Sequence, residues 1–267
     1  MIERFARFPA YLAERSRSVH LGGDIPALLA HPDWERPVPT VIWLHGRTVN
    51  KELDPGRYLR WIRAGFAACA IDLPGHGERT DERLQQPDRS LDVLELAVPE
   101  IDPIVASLSD PAWNGVFDAG RLGIGGMSLG GMVALRRLCD PHPFRCASVE
   151  ATTGNLAALY HPDGGRPWPV SHPAQRIRPL DPMQNLELWR PIPLLALHSE
   201  GDRVVPIEGM RAFIGVLRAR YTERGAAADQ VQLVTWPSTG APAEHAGFGR
   251  FANDAKNAQT EFFAQRL

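Results

Sequence analysis

Residues 120–138 read GRLGIGGMSLGGMVALRRL, and this stretch decides the fold. A short apolar run through Leu122 and Ile124 leads to Ser128, and an amphipathic helical run follows from Leu129. A strand that turns at once into a helix leaves no room for bulk at the crossing. Gly126, Gly130 and Gly131 meet that demand. The resulting Gly-x-Ser-x-Gly pattern, between strand and helix, is the context of a nucleophile elbow. Such a turn lifts the Ser128 hydroxyl above the sheet. It also leaves the Leu129 amide at a helix N-terminus, aimed to donate to an oxyanion. The plain alternative is a glycine-rich turn with an incidental serine. A dinucleotide fingerprint does not fit, because after Gly123 and Gly125 the third glycine falls at the wrong offset.

Working outward, short apolar runs recur at residues 40–44, 66–71, 122–126, 146–149, 194–198 and 231–236. They lack strict alternation, which predicts strands buried on both faces. Helices are predicted between and after them at 53–64, 91–108, 129–139, 207–221 and 251–263. This order predicts an α/β fold with a mostly parallel sheet and helices on both faces. Functional residues then collect beyond the carboxyl ends of the strands. The side chains there include His45, Arg47, Asp72, Ser128, Glu150, Asp202 and, after the last strand, His245.

A serine needs a base, and the base needs an orienting acid. In this kind of fold they follow the serine in the order acid, then histidine. Asp202, in LLALHSEGDRVVP, and His245, in AEHAGFGRF, have that order and stand in loops after strands. Glu200 and Glu150 are the less favoured acids, since Gly201-Asp202 supplies a turn that aims a short carboxylate, and a plain turn cap is the alternative reading of Asp202. His198 lies within a strand and reads as packed or hydrogen-bonded. The loop after residue 44 is the source of a second oxyanion donor, with the Arg47 amide first choice and Thr48 second. His45 reads as an organiser of that loop. The Arg47 side chain either reaches the pocket, selecting a polar or acidic substrate, or extends to solvent or Glu52. His45, Thr48, Met127, Trp168 and Trp189 are the candidate substrate-binding residues, and Trp113 is a further possible wall residue.

Together these blocks make the chain resemble the α/β-hydrolase superfamily. The resemblance rests on VIWLHGRTVNKE, GFAACAIDLPGHGER, GIGGMSLGG, LLALHSEGDRVVP and EHAGF. Within it the chain is similar to small bacterial esterases of the dienelactone-hydrolase and prolyl-oligopeptidase-like branch. The resemblance implies about eight strands, an antiparallel edge from residues 17–21 and 27–31, and no cofactor. It also implies a serine carboxylesterase acting on short acyl esters. Dienelactone hydrolases proper carry cysteine where Ser128 stands, which points toward ordinary carboxylic esters. A thioesterase, acyl-transferase or small-peptide hydrolase would use the same three residues, and a non-catalytic binding protein would retain the fold.

Composition limits the other classes. The 267 residues fit a single hydrolase domain, 1–267, with a small insertion. The net charge of -2 suggests no nucleic-acid partner. No apolar run reaches membrane-spanning length, and residues 1–10 lack a signal-peptide pattern, so a cytoplasmic monomer or homodimer is expected. Three cysteines give neither a disulfide framework nor a Cys-x-x-Cys spacing, and no zinc motif occurs, so no metal is expected. The 24 prolines are unevenly placed, with eight inside residues 161–193. Residues 155–193 are therefore read as a cap or pocket-covering insertion, with short helical pieces at 156–160 and 183–189. An irregular surface connection is the alternative. The 91–108 helix is read as covering the pocket from the other side or serving a dimer interface.

Overall fold

The computed structural model describes residues 8–162 and 168–267. Eight strands run in chain order: β1 Ser16–Leu21, β2 Ile25–Ala30, β3 Val38–Leu44, β4 Ala67–Ile71, β5 Phe117–Met127, β6 Cys146–Glu150, β7 Leu194–Ser199 and β8 Val231–Trp236. They form one sheet in the order β1-β2-β4-β3-β5-β6-β7-β8. Strands β3 to β8 pair in parallel, while β1 and β2 are the antiparallel edge. This is the α/β-hydrolase arrangement that the resemblance implies. The helices are α1 Ala10–Ala13, α2 Pro55–Arg63, α3 Ser90–Ala97, α4 Ile101–Leu108, α5 Leu129–Arg137, α6 Leu156–Tyr160, α7 Ala174–Ile177, α8 Ile207–Glu223 and α9 Ala252–Arg266.

The inner strands are apolar because each contributes to two cores. In β3, Val38, Ile42 and Leu44 face one side, and Val41 and Trp43 the other. In β4, Cys69 and Ile71 alternate in the same way with Ala68 and Ala70. The first side is covered by α3, α4, α5, α6 and α8, the second by α1, α2 and α9. Trp61 and Tyr58 of α2 meet Phe263 of α9 in the second core through a chain of edge-on ring contacts. Each such ring is worth roughly 1.5–3 kcal/mol of burial.

Three elements differ from the sequence expectation. The helix expected over 91–108 is two helices, α3 and α4. Pro99, between them, has no N–H to give to a preceding carbonyl. Pro103 is tolerated because it falls in the first turn of α4. Strand β5 begins five residues early, at Phe117. Asp118 to Arg121 look like a turn, but they form an irregularity where the register with β3 shifts. Residues 183–189 are not one helical piece but two single turns, Pro182–Gln184 and Leu186–Leu188.

The order of the strands locates the site. After β3 the chain passes through α2 on one face to β4. After β5, on the other side of β3, it enters α5 on the opposite face. The loops after β3 and β5 therefore part from each other and leave a crevice at their carboxyl ends.

Candidate functional site

Ser128 stands at the mouth of that crevice. It ends β5 and caps α5, with φ 52° and ψ −118°. A serine held at positive φ stores about 1–3 kcal/mol of backbone strain, which the surroundings must over-determine. They do so by contact. A Cβ on Gly126 would lie 2.5 Å from the Gly130 carbonyl, and one on Gly130 would meet the carbonyl oxygens of Leu44 and His45. The Ser128 amide donates to the Glu150 carbonyl at 2.9 Å, and the Thr152 hydroxyl donates to the Ser128 carbonyl at 2.7 Å.

His245 reaches this serine from the loop after β8. Its Nε2 lies 2.9 Å from Ser128 Oγ, and its Nδ1 lies 2.8 Å from Asp202 Oδ2. The carboxylate can only accept, so Nδ1 carries the proton and Nε2 is left to accept from the serine hydroxyl. Asp202 is held by its other oxygen, which accepts from the Val204 and Val205 amides at 2.8 and 2.9 Å. Burial pushes the Asp202 carboxyl up. Hydrogen bonds from His198 and His245 outweigh this and hold it below its ordinary value. The structure thus brings Ser128, Asp202 and His245 into one hydrogen-bonded line. The alternative acids are engaged elsewhere. Glu150 is buried against Arg57 at 2.8 Å, and Glu200 binds Arg211 and Thr235 on the surface. His198 is buried behind Asp202, with Nε2 on the Val205 carbonyl.

The β3 loop passes directly beside the serine, since a Cβ on Gly46 would lie 3.5 Å from Ser128 Cβ. Among the described residues the Arg47 and Leu129 amides have no hydrogen-bond partner. His45 is buried within the loop. Its Nδ1 lies 2.6 Å from the Gly46 carbonyl, and its Nε2 accepts from the Leu73 amide at 3.0 Å. Burial pulls its pKa down to about 4 and keeps it neutral. Thr48 has positive φ, is exposed, and turns its hydroxyl back to the Arg47 carbonyl. Met127, half-buried, bounds a small cavity beside the serine turn together with Trp43, Gly46, Arg57 and Glu150. The Arg47 guanidinium does not pair with Glu52. It donates to the Gln85 carbonyl at 2.7 Å and stands 5.9 Å from the Trp168 ring. Trp168 in turn donates to the Pro87 carbonyl at 3.2 Å.

Two tryptophans stand elsewhere. Trp189 is fully buried, donates to the Tyr221 hydroxyl at 3.1 Å and packs on Phe213, so it has no surface to offer a substrate. Trp113 packs against Trp34 and edge-on against Phe117 at the start of β5, the opposite end of that strand from Ser128.

Two supporting networks lie outside the sequence reading. Glu244, immediately before the histidine, accepts from five donors. These are the Ser199, Ser238 and Thr239 hydroxyls and the Thr239 and Gly240 amides, at 2.6–3.0 Å. The Thr239 bonds and that from Ser199 hold its carboxyl far below its ordinary value. The second network is built on Lys51, which is buried and bridges Asp72, Glu78 and Glu52. Burial opposes its charge, but these carboxylates push its pKa up. Asp72 also accepts from the Lys51 and Glu78 amides, tying the β3 and β4 loops together. Acid one residue before His245, and Lys-Glu soon after His45, were the available signals. No group of three or more potential metal ligands occurs among the described residues.

A model of the prolyl oligopeptidase family matches residues 58–267. The chain belongs to that family. Among curated members of related sequence, esterase YjfP of Escherichia coli (strain K12) is 26% identical over 256 residues, covering 91% of this chain and 96% of that protein. The same fold also recurs in solved structures at lower identity. TT1662 from Thermus thermophilus superposes with a TM-score of 0.69 at 20% identity, over 93% of this chain and 98% of the other. A puromycin-hydrolyzing peptidase of Mycobacterium tuberculosis gives 0.71 at 18% identity, over 97% of this chain but 40% of that one. No helix among the described residues of this family member is long and apolar enough to cross a membrane.

Proposed function

We propose that the chain is a serine carboxylesterase that hydrolyses small, short-chain acyl esters through an acyl-enzyme intermediate. The observation that carries this reading is the line from Ser128 Oγ through His245 to Asp202, at 2.9 and 2.8 Å. Family membership supports the coarser class, hydrolysis of an ester or amide bond. The esterase name of a relative matched over nearly its whole length supports the ester.

In this mechanism Ser128 Oγ attacks the acyl carbonyl while His245 Nε2 takes its proton. Asp202 fixes the tautomer and stabilises the imidazolium. The carbonyl oxygen becomes an oxyanion that accepts from the Leu129 and Arg47 amides. Collapse expels the alkoxide, which His245 protonates. A water molecule, losing its proton to His245, then attacks the acyl-enzyme and releases the acid and Ser128. Residues 155–193 would form part of the pocket wall, supported by the approach of Trp168 to Arg47. Residues 163–167 of that segment lie outside the described ones.

S128A should lose at least ~10³ in turnover with folding intact. Loss of fluorophosphonate labelling should accompany it, and an active S128A protein would overturn the assignment. Family membership favours a second reading, small-peptide hydrolysis by the same residues. A p-nitrophenyl ester series from acetate to dodecanoate, beside an aminoacyl anilide and an acyl-CoA, separates the two readings and sets the chain length.

A further inference from the structure

Arg47 is half-buried, one residue from Gly46, on which a Cβ would lie 3.5 Å from Ser128 Cβ. Its guanidinium has five donor hydrogens, yet its hydrogen-bonded acceptor among the described residues is a single carbonyl, that of Gln85 at 2.7 Å. No carboxylate among them pairs with it, although Arg57, Arg79 and Lys51 all have such partners. A charge withdrawn from water without a counter-ion is costly, so charges so placed are ordinarily paired. Here burial draws the Arg47 pKa down, with only Tyr160 acting the other way.

The surroundings are those of a binding site and not of a solvated arginine. The Trp168 ring stands 5.9 Å from the guanidinium. Tyr160 is buried beyond it, with its hydroxyl 2.8 Å from Ser90 Oγ. His76, with no exposure, gives its Nδ1 proton to the Pro74 carbonyl, and its Nε2 has no partner among the described residues. Both Arg47 and His76 are therefore fixed by the backbone and still have unused hydrogen-bonding capacity.

We propose that Arg47 is a specificity-determining residue whose side chain receives a carboxylate of the substrate, so that the preferred esters are anionic. This rests on Ser128 being the nucleophile. A planar fork with free donors suits a carboxylate better than a neutral polar group. The anion would supply the missing counter-ion and be placed within a few bonds of the ester carbonyl.

Two matched pairs test it. Mono-4-nitrophenyl glutarate against 4-nitrophenyl butyrate puts the carboxylate on the acyl side, and 4-acetoxybenzoate against phenyl acetate puts it on the leaving group. In the wild-type protein kcat/KM should favour the anionic member of at least one pair, after correction for intrinsic reactivity. R47Q should reduce that preference by at least ~10-fold, chiefly through KM. Free glutarate should inhibit the wild type competitively and R47Q much more weakly. The proposal is overturned if neither anionic ester is favoured by the wild type. It is equally overturned if R47Q slows both members of each pair alike. The wild-type comparison stands even if R47Q folds poorly. If Ser128 were not the nucleophile, S128A would hydrolyse all four esters, a result distinct from any change in preference.

Discussion

The serine turn and the histidine loop arrive at the same point by opposite means. Ser128 is set by exclusion. Glycines at 126 and 130 let backbone pack on backbone, and the strained dihedrals persist because nothing else fits. His245 is set by attraction. Its loop leaves the sheet through Ala243 and Glu244, both at positive φ, and is held by the five donors around one carboxylate. The first device is steric, local and independent of charge. The second is electrostatic and draws its partners from β7 and the loop after β8. The placement of the Ser128 hydroxyl and the His245 imidazole therefore depends on two kinds of force, which respond to different perturbations.

Asp202 joins the two halves, so among the groups that support Ser128 and His245 its loss should do most damage. D202N keeps an acceptor for the Val204 and Val205 amides but can present an NH2 group to His245 Nδ1. Turnover should fall by about 10⁴ with little change in melting temperature, measured by steady-state kinetics and calorimetry. If E200Q or E150Q is the severe variant instead, the acid is misassigned. G130A should strike the steric half. Its methyl group meets the Leu44 and His45 carbonyls, and chemical denaturation should show a loss of about 1–3 kcal/mol. E244Q should strike the other half more mildly, lowering kcat about 10-fold because the imidazole is less well positioned. An unchanged kcat would show that the five-donor cradle does not position the histidine.

Acidification sharpens the contrast with the smallest effect. Glu244 titrates near 4.5 when unconstrained, and the folded loop depresses it. The cradle's contribution is thus fully present above about pH 4.5 and is lost as pH falls toward the depressed folded value. The melting-temperature deficit of E244Q should be largest near neutrality and shrink on acidification below that point. The deficit of G130A should stay constant, since no proton is involved. Parallel curves for the two variants would erase the distinction.

The same contrast explains what the sequence disclosed. Strands β3, β4, β6 and β7 were legible because burial on both faces leaves an apolar run. The Ser128 turn was legible because steric exclusion writes itself as adjacent glycines. Asp202 and His245 followed from chain order and strand ends. The electrostatic supports were much less visible. Glu244 finds Ser199 across 45 residues, and Lys51 finds Asp72 across 21, with no local pattern to announce either pair. Trp189 illustrates the converse. Its prolines and neighbours suggested a pocket cover, but its indole had a hydroxyl partner waiting on α8. The early start of β5 was hidden because Asp118 and Gly120 form a local bond that resembles a turn.

The five-donor cradle also has a practical consequence for redesign. A side chain at position 126 or 130 meets backbone atoms, so diversity introduced there costs stability. The ring of hydroxyls around Glu244 is adjustable instead. Ser199, Ser238 and Thr239 each add one bond to a shared acceptor, so exchanging them singly would tilt the imidazole in small steps. A compact library at those three positions would sample orientations of the His245 imidazole while leaving the Ser128 hydroxyl where it stands.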